Sequence, residues 1–282
     1  MRYWLNAGFL ETEQLVPVAL AAERLGYEGI TLPDHLVFPE QIDSAYPYSA
    51  DGAVMWPIDT PWPECWAAIA ALAAVTDRLR FTTGVLVAPL RDVFSLAKAV
   101  GTAAGFGPGR VSCGLGAGWL REEFDVVGQD FATRGPRLDE MLEALPLLWT
   151  GDTVQYHGKH VDFGPIRMRP AAGDVPILIG GNTTPALRRA ARHDGWIGTF
   201  TDLDDVARML AELAELRDRL GRDGAGHEVL FAATPGVARD AGALDELGVD
   251  GLIVPAVALA SSRATDDVIA GLDRFAERRM MS

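Results

Sequence analysis

The feature that most constrains this chain is an alternation, repeated eight times, of short apolar runs with longer stretches of helical periodicity. The runs are Tyr3 to Ala7, Glu28 to Leu32, Arg80 to Val87, Arg110 to Leu115, Pro176 to Ile179, Gly195 to Thr199, His227 to Ala233 and Gly251 to Val254. They are too apolar to keep a solvent face, so they read as strands of a parallel sheet covered by helices. The stretches between them supply those helices. Glu13 to Leu25 is alanine-rich and stops at Gly26, while Val206, Met209, Leu210, Leu213, Leu216 and Leu220 form a stripe of 3.6-residue period. Further helices are expected over Trp62 to Val75, Val93 to Ala104, Arg134 to Trp149 and Pro185 to Arg192, with a last one ending near Arg279. Thr153 to Met168 alternates instead and reads as an inserted hairpin. Eight βα units in 282 residues favour an α/β fold of one kind, a closed (β/α)₈ TIM barrel with an inserted hairpin segment. No linker or charge run divides residues 1–282, so one domain is expected.

In a barrel of this type chemistry collects at the C-terminal strand ends. Here those ends are Asn6-Ala7, Pro33-Asp34-His35, Gly84-Val85, Gly116-Ala117-Gly118, Gly180-Gly181-Asn182, Thr199-Phe200, Thr234-Pro235 and Pro255. Asp34-His35 follows a buried strand directly. A histidine there exchanges protons near neutral pH and a neighbouring carboxylate orients it, although such a dipeptide also serves as a plain turn. Gly180-Gly181-Asn182 opens a helix, where unpaired N–H groups and the dipole favour an anion, and Arg188, Arg189 and Arg192 follow. The alternative there is a tight turn capped by Thr183. Gly114-Leu115-Gly116-Ala117-Gly118 is no dinucleotide fingerprint, because Arg121 stands where the third glycine belongs. Glycine at this point leaves room for a flat ring over the backbone, or serves packing alone.

Composition removes several function classes. A net charge of −14 argues against phosphate-backbone and anionic-membrane binding, so neither nucleic acid nor membrane is an expected partner. Any polyanionic ligand must then be held by local donors. Of 25 basic residues only Lys98 and Lys159 are lysines, and neither lies at a strand end, which excludes Schiff-base chemistry. Cys65 and Cys113 fit no metal or redox spacing and read as buried small hydrophobes. His157, His160 and Asp162 lie on the alternating hairpin, so no metal is assigned, and His193 and His227 read as structural. Trp56, Trp62 and Trp119 are candidates to line an aromatic pocket, with Trp66 in the core. The N-terminus lacks the apolar region of a signal peptide, so a cytoplasmic protein is expected.

Several stretches resemble the luciferase-like monooxygenase superfamily, above all its coenzyme F420-dependent oxidoreductase branch. They are Leu15 to His35, Leu79 to Leu90, Gly109 to Phe124, Arg134 to Phe163 and Pro176 to Trp196. The resemblance implies the same barrel, a homodimer, a small-molecule substrate and a two-electron cofactor in the barrel mouth. It places a non-proline cis peptide at Gly84-Val85, behind the cofactor ring. It implies a cofactor-contacting aspartate at Asp34, a proton-handling histidine at His35, a ring-side loop at Gly116, Ala117 and Gly118, and a phosphate loop at Gly180, Gly181 and Asn182. Two departures stand out. Trp119 occupies the place of an acidic glutamate found in the sugar-phosphate dehydrogenases of the superfamily, and Phe38-Pro39 lies where they carry a tryptophan after the Asp-His pair. Sugar-phosphate oxidation is therefore not expected. The leading expectation is hydride transfer between F420 and a small organic substrate. The alternatives are an FMN-dependent monooxygenase fed by a flavin reductase, and a non-catalytic flavin-binding protein.

Overall fold

The structure is a computed structural model that describes residues 1–282 except 50, 200, 201, 233–240, 281 and 282. Its elements run β1 (Arg2–Asn6), α1 (Thr12–Leu25), β2 (Gly29–Leu32), α2 (Cys65–Val75), β3 (Arg80–Thr83), β4 (Leu86–Val87), α3 (Val93–Phe106), β5 (Cys113–Gly116), α4 (Arg121–Val126) and α5 (Arg134–Trp149). They continue through β6 (Thr153–His157), β7 (Asp162–Arg167), β8 (Ile177–Gly180), α6 (Thr184–Ala190), β9 (Gly195–Thr199), α7 (Leu203–Arg219), β10 (Glu228–Ala232), α8 (Ala241–Glu246), β11 (Gly251–Pro255), α9 (Ala256–Leu259) and α10 (Thr265–Arg279). The expected strand end Thr234-Pro235 lies outside the described residues, as does Phe200.

The main sheet is parallel throughout, in the order β3-β2-β1-β11-β10-β9-β8-β5-β4. Its two outer members are halves of one strand. The expected continuous run from Arg80 to Val87 is interrupted at a cis Gly84–Val85 peptide, where the resemblance placed one. Below the break, Phe81 bridges to Val111 ahead of β5, and above it Leu86 and Val87 pair with Leu115 and Gly116. Both halves thus reach β5, and the sheet closes into the expected (β/α)₈ TIM barrel. β6 and β7 form the separate antiparallel hairpin between α5 and β8.

Local signals account for the helix limits. Gln14 and Glu11 form a reciprocal capping box at the start of α1, and Gly26 ends it in the left-handed region at φ +85°. Asp202 caps α7 by accepting the Asp205 N–H at 2.8 Å. Val206, Met209 and Leu213 of its stripe are buried against the barrel, while Leu220 at the far end of the stripe is exposed. No helix among the described residues is long and apolar enough to cross a membrane.

Among the described residues two main apolar regions result, beside a small third cluster of Val87, Leu90 and Phe124. The larger lies between sheet and helices, and Cys65, Trp66 and Cys113 belong to it. A second cluster of Trp4, Leu178, Ile197, Leu230 and Ile253 fills the barrel interior, with Val85 packed against it. Trp4 fits there because its neighbour is glycine: a Cβ on Gly29 would lie 2.5 Å from the indole.

Beneath Trp4 the barrel is sealed by charge. Arg80 at the start of β3 grips both oxygens of Glu228 at the start of β10, at 2.7 and 2.8 Å, and reaches Glu28 at 3.2 Å. Its guanidinium lies 5.1 Å from the Trp4 ring centroid. β3 and β10 are not neighbours in the sheet, so this bridge spans the bottom of the barrel. Nearby, His227 donates from Nε2 to Ala190 O at 3.1 Å and burial pushes its pKa down to about 4, which marks it as structural. Stability at the bottom and chemistry at the top is the usual division in this architecture. Arg80→Met should therefore lower unfolding free energy by about 2 kcal/mol, less than for a fully buried pair because Arg2 still holds Glu228. The urea midpoint measures the effect, and binding at the opposite end of the barrel should be unchanged.

Candidate active site at the barrel mouth

At the C-terminal end of β2 the chain turns through Pro33, Asp34 and His35, and the two titratable side chains part company. Asp34 is buried and ion-paired with Arg91, whose Nη2 and Nη1 lie 2.7 and 2.8 Å from the two carboxylate oxygens. The Val87 N–H, at the end of β4, adds a third bond of 3.0 Å. The Cys65 thiol also points at this carboxylate, and burial followed by the Asp34 charge pushes its pKa well up. Asp34 therefore ties β2 to the upper half of the third strand. The expectation that Asp34 orients its neighbour His35 is corrected, because its oxygens are taken up by Arg91 and Val87.

His35 is oriented by a residue from 88 positions further along. Its Nδ1 lies 3.1 Å from Glu123 Oε2, and the two side chains are 6% and 1% exposed. The other oxygen of Glu123 accepts the N–H groups of Leu36 at 2.6 Å and Val37 at 3.3 Å. One carboxylate on α4 thus fixes both the imidazole and the first residues of the segment joining β2 to α2. Glu122 beside it does the same further on, accepting from Asp43 and Ser44 at 2.8 and 2.9 Å. Burial opposes its charge, yet these bonds hold the Glu122 carboxyl below its ordinary value. With Nδ1 engaged, the imidazole presents Nε2 to its surroundings.

Those surroundings are aromatic. Trp62 stands edge-on to His35 with centroids 4.7 Å apart, and Phe38, Trp56 and Trp119 follow at 5.1, 5.8 and 6.0 Å. Tyr46 packs on both Trp56 and Trp119. The aromatic pocket expected from Trp56, Trp62 and Trp119 is thereby assembled, and Trp66 lies in the core as expected.

The glycine-rich strand ends meet on one residue. A Cβ on Gly116 would lie 2.8 Å from Val85, and one on Gly180 would lie 2.5 Å from it. Glycine at these two places leaves room for the Val85 side chain, which corrects the reading that Gly116 leaves room directly for a ring. Ala117 and Gly118 continue the β5 turn, with Gly118 at φ +85°. Gly84 packs on Thr31, whose buried hydroxyl has no recorded partner. Gly181 holds φ +113°, a conformation that glycine adopts without strain. Its N–H is already given to Ile197 O at 3.2 Å, and its carbonyl accepts from the Trp196 indole at 2.9 Å. The Asn182 side chain is likewise occupied, accepting from Thr199 N at 3.0 Å and donating back to Thr199 O.

The arginines behind that turn are placed differently from expectation. Arg189 pairs with Asp139 and, with Arg188 and Arg192, lines a groove of about 390 Å³ between α5 and α6, outside the barrel. Two other arginines stand at the mouth. Arg134 donates to Gly118 O at 3.2 Å, and both it and Arg121 lie over the Phe131 ring, at 3.7 and 4.4 Å. Among the described residues neither has a carboxylate partner. Burial, then the charges of Arg121 and Arg189, hold the Arg134 guanidinium below its ordinary value. Sequence reasoning missed Glu123, Arg121 and Arg134. For Glu123 and Arg121 the available signal was the charged Arg121-Glu122-Glu123 triplet beside a glycine-rich strand end.

Comparison with known proteins bears on the family and the fold. The model of the family described as luciferase-like monooxygenase matches residues 5–271. An uncharacterised protein of Mycobacterium tuberculosis is 39% identical over 79% of this chain and 77% of its own. The F420-dependent glucose-6-phosphate dehydrogenase of Nakamurella multipartita is 32% identical, over 70% of this chain and 55% of its own. Among solved structures, an F420-dependent secondary alcohol dehydrogenase in complex with an F420-acetone adduct superposes with a TM-score of 0.77. That match covers 98% of each chain at 15% identity.

The Glu123 contacts generate a structural prediction. Glu123→Ala strands the Leu36 N–H and the His35 ring, so unfolding free energy should drop by about 1–3 kcal/mol. Hydrogen exchange at Leu36 and Val37 should rise by a larger factor than in the barrel strands. Unchanged exchange at these amides removes the anchoring role.

Proposed function

Since the chain belongs to the luciferase-like monooxygenase family and is an oxidoreductase, we propose that it transfers a hydride between coenzyme F420 and a small organic substrate. The observation that carries this reading is a pair of unneutralised guanidinium groups beside the β5 strand end. In a chain of net charge −14, Arg121 and Arg134 lack a carboxylate partner among the described residues and stand beside Gly118, on the β5 side. His35 stands at the end of β2, where Glu123 and Trp119 from the same β5–α4 segment as Arg121 meet it together with Trp62. Unneutralised guanidinium groups suit a polyanionic tail, and F420 carries both a phosphate and oligoglutamate.

The residues present fit such a cofactor. Val85, backed by Gly116 and Gly180, offers an apolar shelf at the top of the barrel interior, and the unpartnered Thr31 hydroxyl lies below it beside Gly84. Gly84, Val85, Gly116, Ala117 and Gly118 would flank the ring, and Arg121 and Arg134 with the Gly180–Asn182 turn would face its anionic end. When bound, the deazaflavin supplies a two-electron hydride acceptor or donor. Asp34 contributes at one remove, by fixing Val87 and Arg91 through its carboxylate. His35 handles the proton: with Nδ1 held by Glu123, Nε2 takes the hydroxyl proton of an alcohol, or returns it to a carbonyl in the reverse direction. The surrounding rings exclude water from that exchange. A homodimer acting on a small molecule belongs to the same reading. The second reading, an FMN-dependent monooxygenase using reduced flavin and oxygen with a reductase partner, draws on the family as a whole, which is described by its monooxygenases.

Two measurements test the proposal. In equilibrium titration F420 should bind at least ten times more tightly than FMN, a difference of about 1.4 kcal/mol, and Arg134→Ala should weaken F420 by roughly tenfold. Tighter FMN binding transfers the assignment to the monooxygenase reading. His35→Ala should keep most cofactor affinity and lower single-turnover hydride transfer by roughly 10²–10⁴. A variant that instead loses thermal stability and retains turnover per folded molecule shows His35 to be structural.

A further inference from the structure

The groove of about 390 Å³ outside the barrel is lined by Arg188, Arg189 and Arg192 from the α6 segment and by Asp139 and Glu143 of α5. Both carboxylates are engaged. Asp139 takes Arg189 on its two oxygens, and Glu143 accepts the Tyr156 hydroxyl at 2.8 Å. Arg188 and Arg192 have no recorded carboxylate partner among the described residues, although like charges four residues apart repel. His193 lines the same groove. Burial, opposed by the Asp194 charge and reinforced by Arg222 and Arg192, holds its imidazole below the ordinary value. In a chain of net charge −14 this is a local excess of positive charge around one open space.

The groove is continuous with the mouth. Arg189 donates to Gly135 O at 3.3 Å, and the preceding residue, Arg134, donates to Gly118 O at the end of β5. After burial and Arg121, the Arg189 charge is the one that acts on the Arg134 guanidinium. Asp139 and Glu143 lie about 7.5 and 13.5 Å further along α5 than Arg134, at about 1.5 Å per residue. We propose that this groove holds the oligoglutamate tail of the cofactor, with Arg134 meeting its first carboxylates and Arg188 and Arg192 its distal ones. Each exposed guanidinium–carboxylate contact is weak by itself. Tethering changes that, because a ring already bound presents its own tail at an effective concentration on the order of millimolar. The inference rests on the proposed function for the identity of the cofactor, and one arm of its test uses no cofactor, so that the two fail separately.

The experiment titrates F420 carrying no glutamate, two and five into wild type and an Arg188→Ala, Arg192→Ala double variant. Between two and five glutamates affinity should rise roughly 3–10-fold in wild type and less than about 1.5-fold in the double variant. The glutamate-free form should bind both proteins within about twofold, since its anchors lie at the mouth. In the second arm free penta-γ-glutamate should move the His193 ring resonances, identified with His193→Gln, saturably in the low millimolar range, and the double variant should lose that response. The inference is overturned if five glutamates bind no tighter than two, or if the double variant keeps the full rise. It is also overturned if penta-γ-glutamate moves His193 no more than sodium chloride of equal ionic strength. Should no form of F420 bind, the proposed function fails and penta-γ-glutamate alone decides the groove.

Discussion

The mouth of this barrel depends on one buried ion pair, Asp34 with Arg91. An aspartate this deep is tolerable only with its charge matched and its oxygens hydrogen-bonded, and Arg91 and the Val87 amide meet both demands. The pair joins the end of β2 to the far side of the break in the third strand. That is where closure of the barrel is weakest, since β3 stops at Thr83 and pairing resumes only at Leu86. Past the end of β2 the two neighbouring side chains part, Asp34 to Arg91 and His35 to Glu123 and the aromatic residues.

Legibility in the sequence followed the range of the interaction that decides each feature. The strands and most helices are set by local apolar pattern and by caps such as Gly26 and Asp202, and the fold could be read from them. Arg134–Trp149 was legible to the residue. Strand ends were legible because a barrel puts them all on one face, which brought Asp34, His35, Val85, Gly116 and Gly180 together. Partners were not. Nothing local says that Asp34 seeks an arginine 57 residues away or that His35 seeks a glutamate 88 residues away. A buried glutamate within Arg-Glu-Glu looks like any solvated helix turn. The glycines at 116 and 180 were found for the right reason, close approach, but the approaching group is Val85 from a third strand end. The arginines of α6 misled because the segment faces α5 over part of its surface, which periodicity in seven residues cannot reveal.

The site is also divided in a way that composition hides. An average of −14 over the chain suggests uniform repulsion of anions. Locally, Arg121 and Arg134 stand together on Phe131, and burial, followed by the Arg121 charge, holds the Arg134 guanidinium below its ordinary value. Two residues after Arg121 on the same helix, the Glu123 carboxylate is taken up by His35 and the Leu36 and Val37 amides.

The adjacent carboxylates of α4 have a consequence for how such a mouth diversifies. Glu123 fastens the segment leaving β2 at Leu36 and Val37, and Glu122 fastens it again at Asp43 and Ser44, where Ser44 Oγ also accepts the Arg121 N–H. Chain between two such rivets is mechanically decoupled from what they hold. Changes in length and composition from Pro39 to Ile42 alter the shape of the entrance while Glu123 still holds the imidazole. One short helix thereby separates the geometry that chemistry requires from the surface on which selectivity is rewritten.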